Sequence, residues 1–217
     1  GEMPEDLALQ ITPLYKMLEV WGFKLLSQVG CEADDLIGSV VTQFEEPNLE
    51  AYIVSGDKDF MQLINERTFL FKPQKGGTFV KYDKDKVYEK LAIKPDQVID
   101  FLAICGDASD NVPGVSGIGE KGASKLLGTY GDLDTIYEKV EEISNQKQKN
   151  SLLAAQEMAF LSRKLVSLKN DINLKFKLDD FVLPEDGGWK NESLAEFFNE
   201  YEFTRLAQKI TKQVKKN

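Results

Sequence analysis

The sequence predicts an α/β fold in which a mainly parallel sheet core, flanked by helices, is joined to a helical subdomain. Residues 51–55, AYIVS, have the apolar composition of a buried strand. They run directly into an acidic loop and a helical pattern, an order typical of α/β proteins, whose sites form at the carboxyl ends of strands. From residue 83 onward the apolar spacing becomes helical, which predicts the subdomain.

The N-terminal part of the chain supplies the predicted core. A proline and acidic residues precede apolar positions at helical spacing, which predicts a first helix ending near Gly22. Residues 23–28 are expected to form a short strand, and residues 32–35 are the acidic entry to a second helix. Residues 68–72 and 78–82, separated by the turn sequence PQKGG, predict a β-hairpin.

Helical patterns dominate the remainder of the chain. We expect one long helix over residues 146–166, a short strand over residues 172–176 and a closing helix from Ser193 towards Val214. The predicted divisions are an α/β core over residues 1–82, a helical subdomain over residues 83–170, with a hairpin turn at residues 113–121, and a C-terminal strand and helix over residues 171–217 that close the core.

Composition excludes several classes of chemistry. The chain has no histidine, which removes histidine general bases, histidine triads and histidine-ligated zinc. Two cysteines are too few for a disulfide framework, and no apolar run approaches the roughly 18 residues that a membrane span needs. We therefore expect a cytoplasmic protein without a membrane partner, whose chemistry uses carboxylates, lysines, hydroxyls or a metal.

Residues 106–125, GDASDNVPGVSGIGEKGASK, combine two carboxylates with a glycine-rich turn and a lysine-bearing helix. Asp107 and Asp110 can direct their oxygens at one divalent cation. The glycines permit a turn that leaves amide N–H groups uncovered, and such amides attract phosphate at a helix N-terminus. We expect phosphate contacts without base contacts from five residues, namely Gly114, Gly117, Gly119, Lys121 and Lys125. The alternative is a surface loop with an ordinary helix cap.

Three separated segments each place two or more acids at a helix entry or a strand exit, and together they contain Glu32, Asp34, Asp35, Asp57, Asp59, Asp107 and Asp110. Seven converging carboxylates would repel one another unless cations neutralised them. Oxygen ligands select Mg²⁺ or Mn²⁺, and two such ions about 3.5–4 Å apart can hydrolyse phosphodiesters. Alternatively, the acids of residues 32–35 only complement a helix dipole.

The net charge of −9 counts against nucleic acid as a partner. It counts less if the carboxylates surround cations, because two divalent ions would change −9 to −5. Lys58, between two candidate ligands, either neutralises the acidic cluster or contacts a phosphate. Cys105 follows an apolar run and has no histidine to activate it, which favours a packed thiol.

Three motifs, CEADDLIG, VSGDKDFMQL and GDASDNVPGVSGIGEKGASKLL, occur in the order and at the separations found in the 5′-nuclease family. The chain resembles that family over nearly its whole length. Within the family it is most similar to the 5′-3′ exonuclease regions of bacterial DNA polymerases, and the flap endonucleases are relatives. Three ordered motifs are far more specific than any one of them alone.

The resemblance implies a role for each candidate site residue. All seven acidic residues would form a site for two Mg²⁺ or Mn²⁺ ions, directly or through water, and the catalytic set would be Asp34, Asp57, Asp107 and Asp110. The glycine-rich turn would be a helix-three-turn-helix element that tracks duplex phosphates. Carbonyls of this turn hold a monovalent cation in relatives, which would place K⁺ near Val115 and Ile118.

The resemblance also implies an activity and partners. The expected function is metal-dependent 5′-3′ exonuclease and structure-specific 5′-flap endonuclease activity on DNA in replication and repair, with hydrolysis by a metal-activated water. The expected partner is double-stranded DNA with a 5′ flap or nick, in the bacterial nucleoid. The protein is expected to be a monomer that a polymerase region follows in the same polypeptide.

The sequence also departs from the family pattern. Family members begin with a strand that carries a further aspartate, followed by a second acidic strand end and a basic helical arch, and none of these is present in this sequence. We therefore expect a piece of a longer protein. One alternative function is a catalytically weak DNA- and metal-binding module. Another is a phosphatase or nucleotide-processing enzyme built on the loop at residues 56–59.

Overall fold

The computed structural model describes residues 3–214. Its helices and strands, in chain order, are α1 (Glu5–Trp21), α2 (Ala33–Gln43), β1 (Ala51–Val54), β2 (Thr68–Pro73), β3 (Phe79–Tyr82), α3 (Lys84–Leu91), α4 (Val98–Cys105), α5 (Glu120–Tyr130), α6 (Leu133–Glu138), α7 (Gln146–Ala154), α8 (Gln156–Val166), α9 (Glu192–Glu200) and α10 (Thr204–Val214). Short 3₁₀ helices cover Asp59–Leu63, Pro95–Gln97, Val140–Glu142 and Leu178–Phe181. None of the described helices is long and apolar enough to cross a membrane.

The predicted α/β class is confirmed. The described strands form one sheet in the order β1-β2-β3. Strand β1 runs parallel to β2, and β2 pairs antiparallel with β3 in the predicted hairpin. The sheet is therefore mixed, with a smaller parallel share than the sequence predicts, because only the β1–β2 pair is joined by a crossover.

Two compact units make up the chain, and the larger one comprises Gly30–Leu174. Its core includes Met61 after β1, Leu70 in β2, Ile104 in α4 and Leu127 in α5, all essentially inaccessible to solvent. These side chains come from every part of the unit, so that the sheet and the helices of the subdomain share one continuous core. This core fixes the loops that carry the acidic residues.

The smaller unit combines the N-terminal segment through Val29 with the segment from Lys175 onward. Helices α9 and α10 bury Leu194 and Ile210, and Trp21 packs edge-on against Trp189 with ring centroids 4.6 Å apart. Gly188 approaches this cluster so closely that a Cβ atom would lie 2.5 Å from the Trp21 carbonyl oxygen. The predicted functional division at residues 82 and 83 stays a prediction.

Two long helices predicted from the sequence are each broken in the structure. The expected helix over residues 146–166 ends at Ala154 and restarts at Gln156, which lets both Leu152 and Ala159 reach the core. The expected closing helix turns back between α9 and α10, where Glu202 adopts a left-handed conformation with φ of 61°. The reversal allows α9 and α10 to bury their apolar faces in a common cluster.

The strands predicted over residues 23–28 and 172–176 do not form. A strand needs a neighbouring strand to bond its backbone groups. Helix α2 instead presents three polar side chains at successive turns, Asp35, Ser39 and Gln43, which we call the α2 polar row. Its members bond the backbone of residues 169–174.

Each contact of the α2 polar row replaces a bond that a neighbouring strand would make. Asp35 Oδ1 accepts the Lys169 N–H at 2.9 Å, and Ser39 Oγ accepts the Ile172 N–H at 3.1 Å. The Gln43 amide both donates to and accepts from Leu174, at 3.2 and 3.3 Å. The segment is thus held by side chains of a helix.

We predict that Ser39→Ala destabilises the chain by about 1–3 kcal/mol, because Ser39 is buried and its loss leaves the Ile172 N–H without a partner. Urea denaturation followed by circular dichroism measures the effect. Thr42→Ala on the exposed side of the same helix is the matched control and should change the unfolding free energy by less than about 0.5 kcal/mol. Equal effects of the two substitutions would contradict the role of the polar row.

Candidate metal centre

The loop after β1 places Asp57 and Asp59 through local hydrogen bonds. Ser55 Oγ accepts the Asp57 N–H at 3.0 Å, and Asp57 Oδ1 accepts the Asp59 N–H at 3.0 Å. These bonds start the 3₁₀ helix Asp59–Leu63, whose apolar residues Phe60 and Met61 are buried in the core. Asp59 is drawn inward with them and is only 8% exposed.

The loop after α4 is closed on itself and buries Asp107. The backbone N–H and carbonyl of Asp107 bond those of Val112 at 2.9 and 2.8 Å. Asp107 Oδ1 accepts the Ser109 N–H at 2.9 Å, which leaves Oδ2 as the free carboxylate oxygen. A Cβ atom on Gly114 would lie 2.4 Å from the Gly106 backbone nitrogen, so this approach of two backbones requires glycine.

These two loops bring Asp59, Asp107 and Asp110 together. Each of the three residues offers one carboxylate oxygen, and the three oxygens lie within 4.8 Å of one another. Lys58 Nζ lies 3.0 Å from Asp107 Oδ2, while Asp59 Oδ1 is buried and has no hydrogen-bond partner among the described residues. A buried carboxylate oxygen without a donor, beside two more carboxylates, fits a hard divalent cation such as Mg²⁺ or Mn²⁺.

Burial and mutual repulsion set the protonation of this cluster. Burial, reinforced by the negative charges of Asp57, Asp107 and Asp110, raises the pKa of Asp59 to about 7. Burial also acts to raise the pKa of Asp107, but the Ser109 N–H and the Lys58 ammonium outweigh it and hold that pKa below its usual value. In the metal-free protein, Asp107 is therefore more firmly charged than Asp59.

The acids of residues 32–35 divide between two environments. Burial, followed by the charges of Asp57, Glu32, Asp35 and Asp110, raises the pKa of Asp34, so Asp34 belongs to the same electrostatic cluster. Glu32 is exposed and precedes α2 without a side-chain capping bond.

Asp35 has a different neighbour. Its Oδ1 accepts the Lys169 N–H, and its Oδ2 lies 3.5 Å from Lys169 Nζ, which places the carboxylate in the α2 polar row. The predicted metal-binding roles of the four acids outside the close cluster, Glu32, Asp34, Asp35 and Asp57, stay predictions.

The predicted hairpin lies between α4 and α5. Gly114 and Gly117 have φ of 61° and 83°, and Gly119 precedes α5 without a side-chain cap. Lys121 and Lys125 are both exposed on α5. The first turn of α5 thus has no side-chain cap, and the predicted phosphate contacts of this turn stay a prediction.

Two buried apolar side chains, Val115 and Ile118, anchor this turn. The Val115 N–H donates to the Ile104 carbonyl at 2.8 Å, and the Val115 carbonyl accepts the Ile118 N–H at 3.0 Å. A monovalent cation at these carbonyls stays a prediction. Burial raises the pKa of Cys105 to about 11, in agreement with the packed thiol that the sequence predicts.

The sequence did not predict the hydrogen-bond and ion-pair partners of the acidic site residues. Ser109, two residues after Asp107, has the spacing of a local side-chain to backbone turn and could have been found. The pairing of Asp35 with Lys169 spans 134 residues and has no local signal. For Lys58, the sequence left two roles open, and the metal-free structure shows it neutralising Asp107.

The chain combines an α/β fold, three carboxylates that converge from two loops and a glycine-rich turn before a helix, an arrangement that fits the class of metal-binding proteins. Family models identify the particular family. Residues 1–92 match the N-terminal resolvase-like domain of 5′-3′ exonucleases, and residues 93–187 match the C-terminal SAM fold of the same family. The chain belongs to the 5′-3′ exonuclease family.

Curated relatives agree with this assignment. DNA polymerase I of Lactococcus lactis subsp. lactis is 36% identical over 213 residues, covering 97% of this chain and 24% of the relative. A 5′-3′ exonuclease of Buchnera aphidicola is 38% identical over 189 residues, covering 84% of this chain and 65% of the relative. The chain thus spans about a quarter of the length of the polymerase relative.

Solved structures share the fold. The flap endonuclease of bacteriophage T5, solved with DNA and metal ions, has a TM-score of 0.67 at 21% identity and covers 100% of this chain and 72% of its own. The catalytic core of Rad2 in complex with DNA substrate has a TM-score of 0.61 at 12% identity, covering 96% of this chain and 71% of its own. At these identities the likeness establishes the fold.

We predict that Asp59→Asn stabilises the metal-free chain more at pH 8 than at pH 5. The folded-state pKa of Asp59, about 7, lies above its unfolded value, so Asp59 destabilises the fold increasingly as the pH rises from the unfolded pKa to about 7. Thermal unfolding in EDTA should give the variant an advantage on the order of 5 °C at pH 8. An equal difference in Tm between the variant and the original chain at both pH values would contradict a pKa of Asp59 that burial and neighbouring charges raise.

Proposed function

We propose that this chain supplies the metal-dependent 5′-3′ exonuclease and structure-specific 5′-flap endonuclease activity of its protein, by phosphodiester hydrolysis in DNA. The observation that carries the proposal is the close cluster of Asp59, Asp107 and Asp110 beside an open helix N-terminus. Supporting it, relatives are named as a 5′-3′ exonuclease and as DNA polymerase I, and a structure of the same fold is a flap endonuclease with DNA and metal ions.

In this proposal the acidic cluster holds two Mg²⁺ or Mn²⁺ ions. The remaining acids, Glu32, Asp34, Asp35 and Asp57, complete the site directly or through water, and the catalytic set is Asp34, Asp57, Asp107 and Asp110. Divalent ions, when bound, supply activation of water and stabilisation of the leaving oxygen. The chain's own part is to hold the carboxylates in place before the ions arrive, through the Ser55, Asp57 and Ser109 bonds.

The hairpin is proposed to bind the duplex. The backbone at Gly114, Gly117 and Gly119 and the ammonium groups of Lys121 and Lys125 would contact phosphates, and K⁺ would bind near the Val115 and Ile118 carbonyls. Such contacts bind DNA without reading its sequence. The proposed substrate is a DNA duplex with a 5′ flap or nick in the bacterial nucleoid, bound by a monomer that a polymerase region follows.

One observation favours a second candidate function, a DNA- and metal-binding module with weak turnover. Both carboxylate oxygens of Asp35 are engaged by Lys169, and the described close cluster comprises only three of the seven predicted carboxylates. Three carboxylates suffice to bind a cation, whereas two-metal hydrolysis needs ligands for both ions. Cleavage and binding must therefore be measured separately.

We predict that Asp107→Asn/Asp110→Asn reduces Mg²⁺-dependent cleavage of a 5′-labelled flap duplex by at least about 100-fold, because it removes two proposed metal ligands. The assay uses the longest natural protein that contains this chain. Duplex binding, measured by fluorescence anisotropy, should persist, because the substitutions remove no phosphate contact. Equal cleavage by the variant and the original protein would contradict the proposed function. Duplex binding without cleavage by either protein would leave only the binding module.

Lys121→Ala/Lys125→Ala is the converse variant in the same experiment. Because both substitutions lie on the hairpin helix, we expect weaker duplex binding and a salt dependence of binding that is smaller by about 2 in logarithmic slope. Cleavage at saturating DNA should be affected less than binding. Unchanged affinity and slope would place the DNA interface elsewhere.

A further inference from the structure

In the metal-free structure, the positive charge beside the cluster of Asp59, Asp107 and Asp110 is the Lys58 ammonium. Lys58 Nζ lies 3.0 Å from Asp107 Oδ2, and the lysine side chain is 41% exposed, whereas that of Asp107 is 2% exposed. The ammonium therefore reaches from solvent to a buried carboxylate. No directed hydrogen bond from the described residues competes for this oxygen.

The oxygen that Lys58 contacts is the one that a metal ion would need. Asp107 Oδ1 is already occupied by the Ser109 N–H, so Oδ2 is the oxygen left for an external cation. A divalent ion bonded to Oδ2 would stand within a few ångströms of the ammonium, and the two positive charges would repel strongly. The ammonium and the ion cannot both occupy this position.

The backbone allows the lysine to leave without disturbing its neighbours. Lys58 precedes the 3₁₀ helix, and its carbonyl accepts the Met61 N–H at 3.0 Å, which fixes its main chain. Its ammonium makes an ion pair with Asp107, and its side chain is 41% exposed to solvent. Rotation of the side chain outward would free Oδ2 while the carboxylates keep their positions.

We propose that Lys58 is a built-in placeholder cation, which pairs with Asp107 in the metal-free protein and must leave Asp107 Oδ2 for a divalent ion to bind. Lys58 is thus a positioning residue that keeps the repelling carboxylates together and lowers their affinity for metal. This inference rests on the proposed metal-binding function. In the metal-free state Lys58 neutralises Asp107, and in the metal-loaded state its ammonium turns towards solvent.

The test is calorimetric titration of the 217-residue chain with Mn²⁺, comparing the original protein with Lys58→Met. If the ion pair is formed in nine of ten metal-free molecules, its removal tightens Mn²⁺ binding about tenfold. The same variant should unfold at a lower temperature in EDTA and gain more in Tm from Mn²⁺ than the original protein. Both of these changes in Tm can be measured without an assay of DNA cleavage.

Two controls separate competition from a general charge effect. Lys86→Met removes a half-buried lysine paired with Glu89, and it should leave Mn²⁺ affinity unchanged. In an Asp107→Asn background, Lys58→Met should no longer tighten binding, because the shared oxygen has lost its charge. Lys58→Gln is the second neutral variant should Lys58→Met fail to fold.

The outcomes distinguish the two proposals. Mn²⁺ binding that is unchanged or weakened by loss of Lys58, or tightened equally by Lys86→Met, would overturn the placeholder role and leave the metal site standing. No Mn²⁺ binding by any of the proteins would overturn the placeholder role together with the proposed function.

Discussion

Repulsion among neighbouring carboxylates is the constraint on which the larger unit depends. Two unit charges 4.8 Å apart repel by about 3 kcal/mol at an effective dielectric constant near 20, and Asp59 and Asp107 are buried as well. The protein holds this arrangement with short loops whose donors serve the carboxylates, with Lys58, and with a partly protonated Asp59. A divalent cation would remove the repulsion, which makes the cluster a site prepared for metal.

The scaffold holds the site by unusual backbone contacts as well as by apolar packing. Gly106 and Gly114 bring two chain segments closer than any side chain would allow, which joins the acidic loop to the hairpin. Elsewhere in the unit, the α2 polar row bonds residues 169–174 in place of a strand. The metal cluster and the proposed DNA-binding turn are thus parts of one packed structure.

Much of this site could be predicted from the sequence because its signals are local. An apolar strand followed by acids places Asp57 and Asp59, and the glycine spacing marks the turn before α5. The partners of Asp35 and Lys58 could not be predicted, because they depend on contacts across the fold. The break at Ala155 was missed for the same reason: its helical pattern is continuous, and core packing decides where the helix stops.

The most direct test of the central claim is a crystal of this chain soaked in Mn²⁺, with anomalous diffraction data collected. We expect an anomalous peak within roughly 2.0–2.6 Å of Asp107 Oδ2, with oxygens of Asp59 and Asp110 among its neighbours and the Lys58 ammonium displaced. An occupied Mn²⁺ site elsewhere, with these three carboxylates unbound and Lys58 still paired to Asp107, would contradict the account.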